Sequence, residues 1–245
     1  CNVEKIIDLK RAFDFVGYET IILLLRKKKS KNTNVEVITG VKNLEKKQFD
    51  KHLLQHNFLE KRDVMPMWIS NDLIPLIEKI EKNSVKLSSI SKNKRGISIA
   101  STDKKYLSEE NESKSLKILR GKDIGRYKIK PVQKYLLKNS KWDNFVKIRA
   151  TPKIIVQNLA YRIVATYDKQ HMVLDTVNTV ILNNNDFDLK YILAILNSQL
   201  MNFYFRYVIS NKAALNIHLD EVYLGELPIR KNQKYQKELV KLVNL

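Results

Sequence analysis

Side chains of the types that bind nucleic acids are concentrated in residues 116–170. This segment holds 14 Lys and Arg against 3 Asp and Glu, a net charge of +11 in a chain whose total is +19. Lys and Arg neutralise phosphates, whereas Arg pairs bidentately with guanine, and Asn or Gln with adenine. This local charge peak, in a segment that also carries aromatic residues, favours DNA or RNA as the partner. Lysine enrichment through A/T-rich coding is the alternative, and it explains the total better than the peak.

Eight residues have side chains suited to DNA contacts. Gln157 and Asn158 are adjacent, so on a strand they face opposite ways and at most one points at DNA. Gly121 and Asp123 fit a tight turn in which Asp123 accepts hydrogen bonds from the turn amides. The candidate DNA-binding residues are Arg120, Lys122, Arg126, Lys153, Gln157, Asn158, Arg162 and Lys212. Lys212 stands apart from the others, because it follows a long helix predicted after the strands.

The spacing of histidine and cysteine does not support metal binding or disulfide formation. The chain has one cysteine, Cys1, and four scattered histidines. His52 and His56 are four residues apart, but Leu53 stands where a metalloprotease helix has its glutamate. We therefore predict a solvated helix face at these histidines and no metal site.

Composition predicts a globular cytoplasmic protein. With 245 residues, 44% of them hydrophobic, the chain can form one large domain or two small ones around a sizeable core. Its apolar runs are much shorter than the roughly 20 residues of a membrane span. No signal peptide is recognisable at its start.

The predicted strands surround the candidate residues. Apolar, β-branched runs predict strands within residues 3–30, in LKILRGKDIGRYKI around a glycine turn, and in TVNTVIL. The stretch PKIIVQNLAYRIVATYD predicts two strands on either side of Ala160 and Tyr161. Two apolar strands at the start of the chain cannot bury themselves, so they require a sheet to join.

Helical spacing of apolar residues completes an α+β pattern. It predicts a loose helix from Leu44 to Phe58, and a second helix that begins after Asp72 with Pro75 in its first turn. A long helix follows the strands, with Asp186 as its cap and Asn197 interpreted as a packing residue. A last helix runs to the end of the chain.

Five motifs, in this order, resemble TaqI-type adenine-specific DNA methyltransferases. They are LRGKDIGRY (119–127), TPKIIVQNLAYRIVATYD (151–168), DTVNTVIL (175–182), LAILNSQLMNFYFR (193–206) and ELPI (226–229). The stretch 84–229 is similar to the TaqI-like C-terminal specificity domain, and the opening strands resemble the last two strands of the catalytic domain. The implied division is a catalytic-domain stub (1–40), a helical linker (41–83), a mixed or antiparallel target-recognition domain (84–230) and a C-terminal helix (231–245).

The resemblance implies a role for an aromatic residue between the two opening strands. Family members flip the target adenine out of the duplex and stack it on a phenylalanine there, a position that Phe13 matches and Phe15 nearly matches. A turn aromatic that packs under the sheet is the alternative for both residues.

The same resemblance implies that catalysis lies elsewhere. Adenine methyltransferases need a Pro-Pro-aromatic motif and a glycine-rich turn for S-adenosylmethionine, and the chain has no Pro-Pro pair and no GxG. We therefore expect no catalytic residue and no bound cofactor here, and S-adenosylmethionine only in a parent enzyme, solitary or fused to a nuclease. The chain is then a fragment, half of a split enzyme, or a specificity subunit. Its expected partners are double-stranded DNA, a methyltransferase catalytic domain and, through the exposed opening strands, a second copy of itself.

Overall fold

The computed structural model describes residues 2–10, 12, 13, 15, 18–27, 33–43, 48–100, 102–113, 115–212 and 218–244. It divides into two compact units: unit 1 is Cys1–Lys82 with Phe203–Asn216, and unit 2 is Asn83–Asn202 with Ile217–Leu245. Among the described helices, none is long and apolar enough to cross a membrane.

Within the described residues before Asn83, unit 1 has four strands and two short α-helices: β1 (Asn2–Lys10), β2 (Thr20–Arg26), β3 (Asn34–Asn43), β4 (Gln48–Gln55), α1 (His56–Glu60) and α2 (Ile74–Glu81). The sheet order is β2-β1-β3-β4, with β1 antiparallel to β2 and parallel to β3, and β3 antiparallel to β4. Ile6, Val37 and Leu54 bury side chains from three of these strands. The two opening strands therefore pair as predicted, and β3 and β4 extend their sheet.

The helix predicted from Leu44 to Phe58 is wrong, because residues 48–55 form a strand; residues 44–47 lie outside the described part. Leu54 is buried opposite Val35 of β3, and Leu53, its neighbour in sequence, is exposed. Pairing with β3 satisfies the backbone groups of both strands, and this tertiary contact outweighs a weak helical spacing. His52 therefore lies on a strand, with Nε2 2.9 Å from the Met67 carbonyl, and desolvation lowers its pKa.

Strand β2 presents an uncovered apolar surface. It is an edge strand with β1 as its one partner in the sheet. Five consecutive residues, Ile21 to Leu25, are 39–56% exposed, so both faces of the strand are open. Continuous apolar strands are typical of sheets that are covered on both faces, and an exposed apolar edge is a site of association.

The remaining helices and strands belong to unit 2 and to the second segment of unit 1. In chain order they are β5 (Ser84–Lys86), α3 (Leu87–Ile90), β6 (Ser91–Arg95), β7 (Leu107–Ser108), β8 (Leu116–Leu119), β9 (Ile124–Gly125), β10 (Lys128–Ile129), β11 (Tyr135–Leu136), α4 (Asp143–Arg149), β12 (Lys153–Gln157), β13 (Ala165–Asp168), β14 (Met172–Val173), β15 (Val177–Leu182), α5 (Leu189–Asn197), α6 (Gln199–Tyr204), α7 (Glu221–Gly225), β16 (Pro228–Arg230) and α8 (Gln233–Val243). A π-helical turn, Phe205–Ile209, follows α6.

An antiparallel sheet with the order β13-β12-β15-β6 lies at the centre of unit 2. The strands predicted on either side of Ala160 and Tyr161 are confirmed as β12 and β13, and the strand predicted in TVNTVIL is confirmed as β15, which begins one residue later. Ile155 packs on Leu119 and Val173, which come from a second sheet with the order β14-β8-β11-β7. The α+β class is confirmed.

The long predicted helix is real but begins later and is interrupted. Asp188, not Asp186, caps α5 by accepting a hydrogen bond from the Lys190 amide at 2.7 Å, and the extended backbone of Ser198 separates α5 from α6. Asn197 is fully buried and uses its side-chain amide to bond both the N–H and the C=O of Ala165. It thereby takes the place of a neighbouring strand at the free edge of β13.

A buried ion pair joins the first residue of β12 to the last residue of β13. Lys153 Nζ lies 2.7 Å from Asp168 Oδ2, and both side chains are 1% exposed. His171 Nδ1 lies 2.7 Å from the other carboxylate oxygen. Burial by itself raises the pKa of Asp168, but the hydrogen bonds from His171 and Lys153 outweigh it and lower the pKa to about 2.

We predict that Asp168→Asn destabilises the chain by about 3–5 kcal/mol, because it leaves the Lys153 ammonium buried without its counter-charge. The control is Asp186→Asn at an exposed carboxylate, which changes stability by less than about 0.5 kcal/mol. Urea unfolding measures both. The contribution of the Asp168 charge is complete above its ordinary pKa of 3.8 and is lost as pH falls through about 2. The difference between wild type and Asp168→Asn should therefore shrink over that range; a difference that is constant with pH would contradict this.

We also predict that the isolated chain self-associates through β2. Ile22→Lys with Leu24→Lys places two charges on the face of β2 opposite to the one it shares with buried Ile6, and should give a monomer. Leu53→Lys is the matched control, since Leu53 is 50% exposed on β4, the other edge of the sheet. Sedimentation velocity at several concentrations is the measurement. A concentration-independent monomer for the wild type would refute the prediction.

Candidate nucleic-acid interface

The RGKD turn is built by its own side chains and by Thr176. Asp123 Oδ2 accepts hydrogen bonds from the Arg120 backbone N–H (2.8 Å) and from Arg120 Nε (2.9 Å), and Oδ1 accepts one from Nη2 (3.1 Å). Gly121 donates its N–H to Thr176 Oγ1, and a Cβ at Gly121 would lie 2.9 Å from the Thr176 carbonyl oxygen. The turn roles predicted for Gly121 and Asp123 are confirmed. Arg120 is committed to Asp123, while Lys122 is exposed.

A short hairpin, β9–β10, projects Arg126 and Tyr127 from this turn. Tyr127 has a left-handed backbone (φ 60°) and donates its N–H to the Ala165 carbonyl at 3.0 Å. Arg126 Nη2 donates to the Asn197 carbonyl at 2.8 Å, and its guanidinium lies 5.7 Å from the Tyr127 ring centre. Both side chains stay exposed, as does that of Lys128. The hairpin is therefore held to β13 by the Tyr127 N–H and to α5 by one nitrogen of the Arg126 guanidinium.

The loop between β12 and β13 is fixed at both ends and exposed in the middle. At one end the buried Asn158 accepts the Leu219 N–H at its carbonyl (2.7 Å); at the other, Ile163 donates its N–H to Asn202 Oδ1 (2.6 Å). Between these anchors, Leu159 is 51% exposed and Tyr161 is 67% exposed. Arg162 is exposed beside them. The loop thus presents an apolar, an aromatic and a cationic side chain from a rigid base.

The two predicted adenine readers hold the framework instead. Gln157 Nε2 donates to the carbonyls of Gly121 (2.6 Å) and Ile124 (3.0 Å), which ties β12 to the RGKD turn. Asn158 is fully buried and donates to the Asp175 carbonyl at 3.2 Å. We predicted that at most one of these two side chains points at DNA. In the fold, the side-chain nitrogens of both residues donate to backbone carbonyls.

One predicted phosphate contact, that of Lys153, needs correction, and that of Lys212 stays a prediction. Lys153 is buried with Asp168 and donates to the Arg149 carbonyl at 2.9 Å, so its ammonium does not reach the surface. Lys212 belongs to unit 1, where its Nζ lies 4.1 Å from the Trp68 ring centre and 4.5 Å from that of Tyr207. A cation held between two aromatic faces is stabilised there by the ring quadrupoles.

The predicted base-stacking residue lies in unit 1, in the connection between β1 and β2. Phe13 is 59% exposed and Phe15 is completely exposed. Neither packs under the sheet, so the alternative role of a buried turn aromatic is wrong. The stacking role of Phe13 stays a prediction.

Unit 2 therefore has a candidate interface made of two adjacent projections: the turn and hairpin at 120–130 and the loop at 159–162. It exposes five cations, Lys122, Arg126, Lys128, Lys130 and Arg162, and the one acid within these ranges, Asp123, is buried under Arg120. The cations suit phosphates, a free guanidinium suits a guanine edge, and exposed aromatic or apolar tips suit contact with bases.

Sequence reasoning omitted Leu159, Tyr127, Lys128 and Tyr161 from this set. The available signal was their position beside arginine in connections between strands, where binding residues are concentrated. Tyr127 was instead assigned to a predicted strand, and Tyr161 was placed between two strands without a binding role.

Comparison with known proteins supports this location. Residues 116–229 match the model of the TaqI-like C-terminal specificity domain family. No curated protein sequence matches the chain.

Three solved structures are similar in fold. The type IIG restriction endonuclease BpuSI is 13% identical with a TM-score of 0.52; the alignment covers 99% of this chain and 38% of that one. The type I restriction-modification S subunit from M. genitalium is 13% identical (TM-score 0.41; 71% and 42% covered), and the HsdS subunit from Thermoanaerobacter tengcongensis is 12% identical (TM-score 0.40; 71% and 42% covered). The chain thus spans well under half the length of each.

The family match covers the RGKD turn, the hairpin, the loop at 159–162 and three strands of the sheet that carries them, β12, β13 and β15. The segment 116–229 is therefore a TaqI-like C-terminal specificity domain, the DNA target-recognition type of domain of restriction-modification systems.

Proposed function

We propose that this chain selects the DNA sequence at which an adenine-specific methyltransferase of a restriction-modification system transfers a methyl group from S-adenosylmethionine. The observation that carries the proposal is the interface at 120–130 and 159–162, with five exposed cations and no exposed carboxylate in these ranges. Such a surface attracts the phosphate backbone, and its rigid anchors let the exposed tips read base edges.

The two projections have different roles in recognition: the turn and hairpin bind phosphates, and the loop contacts bases. Lys122 and Lys128 are exposed ammonium groups that bind phosphates and fix the register on the duplex. Arg162 is an exposed guanidinium at the tip of the loop, so it can pair bidentately with guanine. Arg126 gives one nitrogen to the Asn197 carbonyl, which orients its remaining donors towards solvent.

Methyl transfer itself belongs to a catalytic domain, on the same parent chain or on a separate one. The sequence lacks the Pro-Pro and GxG motifs that hold adenine and S-adenosylmethionine in such domains. The open apolar strand β2 supports this partner, because a neighbouring strand and covering layers from a catalytic domain would bury Ile21–Leu25. Phe13 then lies beside that junction, where an exposed aromatic can stack on a flipped adenine.

A restriction-modification system that acts on the cell's own DNA places the chain in the cytoplasm.

The electrostatic part of this proposal predicts weak, salt-dependent binding to any duplex. We expect a Kd of about 10⁻⁴–10⁻⁶ M at physiological salt. Lys122→Glu with Arg126→Glu should weaken binding and reduce the log–log salt slope by roughly 1–2, since each neutralised phosphate contributes about 0.9. Lys234→Glu with Lys237→Glu on α8 gives the same net charge and should keep the wild-type slope. Fluorescence anisotropy at several salt concentrations measures both; equal effects of the two double variants would refute the location.

Specific readout makes a separate prediction for Arg162. Arg162→Ala should lose about 1–3 kcal/mol of discrimination at one base pair. Arg162→Lys retains the charge but not the bidentate geometry, so it should keep the salt slope and still lose discrimination. The measurement is selection of bound duplexes from a randomised pool. If Arg162→Ala and wild type enrich the same sequences, Arg162 is not a base reader.

A further inference from the structure

Unit 2 contains a narrow basic cleft that shares no residue with the projections at 120–130 and 159–162. Its walls come from β6, α4, β12 and β14, and its volume is about 20 Å³. Four cationic residues and a histidine line it, and no carboxylate is among the lining residues of the described chain. The five are Lys94, Arg95, Arg149, Lys153 and His171.

Three of these five groups already have partners. Lys153 and His171 both bind Asp168, and Arg95 donates from Nε to the Asp175 carbonyl at 2.8 Å. Arg149 differs, because its Nε is buried and has no hydrogen-bond acceptor among the described residues. Buried donors are satisfied in nearly all structures, so this nitrogen is available to an acceptor that enters the cleft.

Hydrogen bonds to the backbone of Lys94 and Arg149 anchor the walls of the cleft, and apolar side chains form part of its lining. Lys94 and Thr179 are direct cross-strand partners, and Thr179 Oγ1 donates to the Lys94 carbonyl at 3.0 Å. Arg149 ends α4, and its carbonyl accepts the hydrogen bond from Lys153 Nζ. Phe145 and Met172 line the cleft beside these charges. Apolar walls lower the local dielectric, so an anion placed here interacts strongly with Arg149 and Lys94.

We propose that this cleft binds a phosphate group through Arg149 and Lys94. A single water needs about 10–15 Å³, so a cavity of about 20 Å³ admits one oxyanion oxygen, and the rest of the group stays at the exposed mouth near Lys94. This excludes a whole nucleotide as the buried ligand. The phosphate comes either from the backbone of bound DNA or from a free or terminal phosphate. The proposal does not depend on sequence-specific recognition.

The first test uses inorganic phosphate as the probe. Phosphate is titrated into the full chain at constant ionic strength, with sodium chloride as compensating salt, and ³¹P NMR follows binding. Wild type should bind saturably. Arg149→Met and Lys94→Met should each weaken binding by about tenfold or more, because each removes a charged hydrogen bond. Lys147→Met on α4 and Lys92→Met on β6 are the matched controls, since both lysines are exposed neighbours outside the lining, and they should bind as wild type does.

The second arm distinguishes the two sources of phosphate. If the DNA backbone supplies the group, Arg149→Met should reduce the salt slope of duplex binding by about 0.9, and Lys147→Met should not. If a free or terminal phosphate supplies it, the salt slopes of wild type and Arg149→Met are equal. In that case a 5′-phosphorylated duplex binds more tightly than its 5′-hydroxyl counterpart to the wild type but not to Arg149→Met. Urea unfolding verifies that Arg149→Met is folded, and Lys94→Met, at an exposed position, provides an independent variant. The proposal is overturned if phosphate does not bind saturably, or if Arg149→Met and Lys94→Met both behave like their controls.

Discussion

The ion pair between Lys153 and Asp168 fixes the register on which the recognition surface depends. It joins the ends of β12 and β13, which pair residue by residue from Lys153 opposite Asp168 to Val156 opposite Ala165. A slip of one residue would turn every side chain of β13 to the other face and would leave both charges buried without partners. Replacing such a pair by apolar residues is often neutral for stability, so its value here lies in specifying one register. That register determines where the loop at 159–162 emerges.

Amide side chains then complete the frame around this hairpin. Asn197 bonds both backbone groups of Ala165, Gln157 bridges one carbonyl of the RGKD turn and one of β9, and Asn202 accepts the N–H that closes the loop. An amide carries a donor and an acceptor on one planar group, so it can replace a missing strand partner as well as it can read adenine. This double capacity explains why Gln157 and Asn158 resemble base readers in the sequence but serve the backbone in the fold.

Much of the fold was predictable because the pattern is local. The β12–β13 hairpin has its midpoint between Ala160 and Tyr161, and Lys153 and Asp168 stand symmetrically about that point. This symmetry predicts that Lys153 pairs with Asp168 across the hairpin. The sequence analysis assigned Lys153 to DNA contact instead, because a lysine in a basic segment is typical of a surface contact. The strand at 48–55 was not predictable from its own residues. Its apolar spacing suits a helix equally well, and pairing with β3 decides between them.

The arrangement separates the residues that hold the fold from those that are free to read DNA. Asn158 and Ile163, at the base of the loop, are buried and bonded, whereas Leu159, Tyr161 and Arg162 at its tip are exposed. Exposed substitutions away from caps and networks usually change stability by less than about 0.5 kcal/mol. The tip can therefore vary in sequence, and under the proposed function so can the base pairs that it contacts, without cost to the register set by Lys153 and Asp168. Arg126 is the exception, because its contact with the Asn197 carbonyl also ties the hairpin to the frame. A change there alters both the charge of the hairpin and the position of Tyr127, so the two projections should differ in how freely their sequences change.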